Sequence, residues 1–119
     1  MKDGLLSWMK IMKERRAKAE ISIYEEKLAN IIEIQISNEV KHKDIKEKAM
    51  RLENELPHLF AKAAQGKISP IQADQAKQEL NELRGQLKQI AILLKGLKSE
   101  EPRYIEKLSQ IKRILDFYR

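Results

Sequence analysis

The chain has 119 residues, 24 of them Lys or Arg against 18 Asp or Glu, for a net charge of +6. It contains no Cys, 4 Gly and 3 Pro. Without Cys there can be no disulfide scaffold, thiolate metal site or cysteine nucleophile, and a single Val beside abundant Leu, Ile, Ala, Lys, Glu and Gln describes an all-α protein. The positive charge is divided: residues 1–18 carry +4, 19–60 carry −3, 61–99 carry +4 and 100–119 carry +1. A basic stretch beside an acidic one is what antiparallel helices of one bundle would show.

The N-terminal segment, 1–18, is amphipathic. Leu5, Trp8, Met9 and Met12 recur at helical spacing, with Lys2, Lys10, Lys13, Arg15 and Arg16 around them. That composition suits a helix lying on an anionic membrane surface. It equally suits a helix tip that caps a bundle core or enters a partner's groove. Lys10 interrupts the apolar run and no small-residue cleavage site comes after it, so a secretion signal is not expected. No stretch reaches the roughly eighteen apolar residues of a membrane span. The expected location is cytoplasmic, or inside the virion if the protein is viral.

Pro57, Gly66, Pro70 and Pro102 punctuate the remainder of the chain, and they predict helices at about 4–18, 19–55, 57–65, 70–98 and 102–118 within one domain of 1–119. The region 19–98 reads as a long helical hairpin and 102–118 as a C-terminal helix packed back on it. In 19–55, Tyr24, Leu28, Ile31, Gln35, Asn38, His42, Ile45, Ala49, Leu52 and Leu56 form one stripe with a polar middle. A drift in register offers Ile32, Ile36 and Val40 instead. The alternation of Ile21 with Ile23, and of Ile32, Ile34 and Ile36, admits a strand, but charged helix formers flank both runs.

The clearest pattern lies in 70–98. Ala73, Ala76, Leu80, Leu83, Leu87, Ile90, Leu94 and Leu97 alternate spacings of three and four, the seam of a coiled coil. Ser69 can cap this helix, Pro70 suits its first position, and Gln72 stands where a capping box needs it. Tyr104, Leu108, Ile111, Leu115 and Tyr118 repeat the spacing. Long helices of this kind predict an elongated hairpin or bundle whose seam supports self-association, a dimer above all.

No residue set advertises catalysis. His42 and His58 are sixteen positions apart, in no spacing that aims two ligands at one metal. Gly66-Lys67 lacks the upstream glycine of a phosphate loop. Glu100 and Glu101 read as favourable charge at a helix start. Neither cofactor nor metal is expected. Lys77, Arg84, Lys88 and Lys95 fall on successive turns and form a possible phosphate stripe, although Asp74, Glu79 and Glu82 are interleaved and aromatic stacking partners are missing. The function expected is a non-catalytic protein–protein interaction module, an adaptor, assembly factor or scaffold. A peripheral membrane protein and a sequence-tolerant nucleic-acid-binding accessory are the alternatives.

Overall fold

The computed structural model describes the backbone of residues 2–118 and the side chains of residues 4–117. Lys2 and Tyr118 therefore have side chains outside the described set. The fold is an all-α helical hairpin: α1 spans Lys2–Ala64 and α2 spans Pro70–Tyr118. Among the described residues there is no strand, and the strand alternative for the isoleucine runs is not realised.

Two helices stand where five were expected. No Pro or Gly lies near residue 18, and the helix formers Ala17, Lys18 and Ala19 carry α1 through without a break. Pro57 and Pro102 lie inside α1 and α2. Each removes one intrahelical hydrogen bond, at a cost of about 3 kcal/mol. Both are exposed, on the side away from the buried stripe, so water can reach the freed carbonyl while the packed face continues. Burying a Leu or Ile side chain stabilises by about 1.5–3 kcal/mol, and Ile31, Leu80, Leu108, Ile111 and Leu115 are all buried. Packing therefore outweighs the two breaks.

Apart from Glu20 on its flank, the buried and half-buried positions of α1 run Glu14, Ala17, Ile21, Tyr24, Leu28, Ile31, Gln35, Asn38, His42, Ile45, Ala49, Leu52, Leu56, Leu59 and Ala63. Along this stripe the steps of three and four alternate strictly. The same alternation in α2 runs from Ala73 to Leu115 and passes Pro102 undisturbed. The drifted register is overturned: Ile32, Ile36 and Val40 are exposed, whereas Gln35 is 9% exposed. A continuous seam keeps more Leu and Ile covered along its length than a rotation through three isoleucines would.

Contacts divide the chain into two compact units, one of residues 1–35 with 96–119, the other of residues 36–95. In the first, Ala17, Ile111 and Leu115 form a core with Ile21 and Tyr24 packed against it. Two expectations for α2 change here. The C-terminal segment is a continuation of α2, and Glu101 stands in mid-helix rather than at a helix start.

The second unit contains the turn. Lys67 N donates to Lys62 O at 2.9 Å and Gly66 N to Ala63 O at 3.1 Å, the paired bonds that close a helix through a left-handed residue. Gly66 supplies that residue, with φ of 73°. The next helix starts at once. Ile71 N donates to Ser69 Oγ at 3.2 Å, and Ser69 N donates to Gln72 Oε1 at 3.3 Å, completing the capping box. Small Ala73 and Ala76, both buried, let the helices approach closely beside this short connection.

Gly66→Ala is expected to cost about 1 kcal/mol, because a Cβ is disfavoured at positive φ. Gly85→Ala should add about 0.5–1 kcal/mol of helix stability, since a Cβ there meets nothing within 4 Å. Thermal unfolding followed by circular dichroism should move the midpoint down for the first and up for the second.

Candidate interaction surfaces

The α2 stripe faces α1 of the same chain, but it is not enclosed evenly. Ala73, Ala76 and Leu80 are buried, Leu80 to 3% exposure, while Leu83, Leu87, Ile90, Leu94 and Leu97 are only half-buried. Two helices can cover a seam from one side, and the flanks of that seam stay open to water. No large side chain falls below 2% exposure among the described residues. In the unit of residues 36–95, α1 brings Asn38 and His42 to seam positions, each half-buried. The surroundings of Leu83 to Leu94 therefore include polar groups as well as Ile45, Ala49 and Leu52.

In the unit of residues 1–35 and 96–119 the polar seam position has a defined partner. Gln35 Nε2 donates to Glu101 Oε2 at 3.2 Å, a bond that neutralises the cost of burying the amide. The Tyr24 and Tyr104 rings lie 5.9 Å apart at 46°, and Lys27 Nζ sits 5.5 Å from the Tyr24 centroid. Sequence spacing placed each tyrosine on a seam, but which tyrosine meets which depends on the antiparallel register, and no local motif encodes that.

Two cross-helix ion pairs join residues of opposite charge blocks. Lys112 lies 3.7 Å from Glu25, and Arg84 Nη2 lies 3.5 Å from Glu53 Oε1. All four side chains are largely exposed, so each pair contributes at most about 1 kcal/mol.

Lys77, Arg84, Lys88 and Lys95 are all exposed or half-exposed along α2, with Arg84 already engaged by Glu53. Glu79 lines a shallow hollow of about 190 Å³ with Lys48, Arg51, Leu52, Glu55 and Leu83.

Leu5, Trp8, Met9 and Met12 are all exposed, Trp8 to 58%, and so are Leu6 and Ile11 beside them. Trp8 is not part of the hairpin core in this structure. Among the described residues, no group of three or more His, Asp or Glu could hold a metal ion. Likewise no helix is long and apolar enough to cross a membrane.

Replacing Leu80 by Ala is expected to cost about 3 kcal/mol. Ile92 is 72% exposed, and replacing it by Ala should change stability by less than about 0.5 kcal/mol. Urea unfolding of the two variants checks which face of α2 is buried.

Comparison with known protein families, curated proteins and solved structures gives no match to this chain.

Proposed function

We propose that the chain is a non-catalytic interaction module, a helical hairpin whose half-open seam is completed by another helical surface, and that the first such surface is a second copy of itself. The carrying observation is the half-burial of Leu83, Leu87, Ile90 and Leu94 in a stripe whose spacing is that of a coiled coil. Leu93, 46% exposed, widens the same region on one flank. Two hairpins laid seam to seam form a four-helix bundle, in which half-buried leucines become core.

On this reading the protein works by presenting helical faces, as an adaptor, assembly factor or scaffold does. The cytoplasm is the compartment we propose, and the lack of any cysteine fits it.

Sedimentation at tens of micromolar should give twice the chain mass. Leu83→Asp with Leu87→Asp should return it to the monomer. Those side chains also touch α1, so Leu93→Asp provides the cleaner variant: association should weaken while helicity stays unchanged. A wild-type chain that sediments as a monomer, or a dimer indifferent to both changes, would remove the basis for this function.

A further inference from the structure

Between residues 5 and 12 the pattern of α1 is inverted. Continued backward from Ala17 by steps of three and four, the seam stripe reaches Glu14, Lys10 and Ser7. In this segment the positions that would face a packed helix are polar. Leu5, Leu6, Trp8, Met9, Ile11 and Met12 occupy all six remaining positions of 5–12, and all are between 43% and 63% exposed. The apolar surface therefore covers most of the helix circumference and is centred on the side away from the seam. Immediately behind it come Lys13, Arg15, Arg16 and Lys18, a cationic collar in which Arg16 also approaches Glu20 at 3.8 Å.

We propose that this segment inserts into the anionic surface of a lipid bilayer, with the apolar residues among the upper acyl chains and the collar against headgroup phosphates. The width of the apolar surface argues for lipid. A protein groove takes one stripe of a docking helix, at spacings of three, four and seven, and would leave either Leu6 or Ile11 outside. A bilayer interface can accommodate all six. The charge argues against parallel pairing with a second copy here, because that arrangement would set two collars of like sign side by side. This inference uses a surface separate from the half-open seam, and it stands or falls independently of self-association.

Trp8 is the single tryptophan, so the emission of the full chain reports on this segment alone. Titration with phosphatidylcholine vesicles containing about one-third phosphatidylglycerol should shift that emission to the blue and carry the protein upward in flotation. Neutral vesicles, or high salt, should weaken partitioning at least tenfold. Arg15→Glu with Arg16→Glu should have the same effect, and Leu5→Ser with Met12→Ser should abolish the shift. These residues are exposed, and circular dichroism verifies that each variant keeps its helices. Emission unmoved by anionic vesicles would overturn the proposal. So would equal binding to neutral vesicles, or a blue shift that appears with protein concentration in the absence of lipid, which would assign the surface to another protein chain.

Discussion

Each helix carries one stripe of side chains that alternates steps of three and four, and the rest of the structure depends on those two stripes being pressed together. Continuity of the stripe is what makes two helices from five candidate segments. A proline inside a helix costs about 3 kcal/mol when considered alone. At Pro57 and Pro102 the lost bond is on the wet side, and the seam neighbours Leu56 and Leu59, or Tyr104 and Leu108, still face inward. The hydrophobic term acts on the face opposite the defect, so the two effects do not compete for the same atoms. A proline at a seam position would have met a different outcome, because the backbone distortion would then displace buried side chains.

Alternating apolar stripes attract each other in many alignments, and the polar details select one. The turn brings the helices into antiparallel order over only a few residues, through the left-handed Gly66 and the reciprocal Ser69–Gln72 bonds. Elsewhere in the chain, Gln35 meets Glu101, Glu25 lies beside Lys112 and Glu53 beside Arg84. A slip by one heptad would leave the Gln35 amide buried without that partner, at a cost of about 1–3 kcal/mol. Exposed ion pairs add little to stability, so the buried Gln35 amide carries the discrimination between alignments, and specificity is a matter of that difference.

The sequence made the seam legible because its period is long, regular and made of Leu, Ile and Ala. Ser69, Pro70, Gln72 and Gly66 were legible because capping is local chemistry. The errors arose where local chemistry and tertiary packing disagree. Pro57 and Pro102 are genuine breakers in isolation, and their side of the helix is knowable only once both stripes are aligned. Gln35 was readable as a seam residue, but Ile32, Ile36 and Val40 offered a greasier path, and only the continuity of the partner stripe decides between them. The surfaces were least legible. Composition left Trp8 open between core, partner groove and membrane surface, and its exposure comes from the phase of residues 5–12 relative to a seam defined mostly by residues after 14. Likewise the partial cover over Leu83 to Leu94 depends on what α1 sets beside them, including Asn38 and His42, which helical periodicity in α2 does not reveal.

A two-helix protein has one interior line and two exposed backs. Apolar residues beyond what that line can hide gain nothing from folding, and they raise the risk of nonspecific association. The hairpin nonetheless leaves scattered isoleucines such as Ile23 and Ile92 on its backs, and it concentrates six apolar side chains between residues 5 and 12. Scattered residues need no explanation, since surfaces of soluble proteins are more than half apolar. The concentrated set is different in kind. Its seam positions, Ser7 and Lys10, are polar where burial would have favoured apolar groups, so the segment gives up hairpin packing in the same turns in which it accumulates greasy surface. Both departures share one phase of the helix. That coincidence is explained if the segment is shaped by an apolar medium outside the hairpin, with the cations after residue 12 marking where that medium ends.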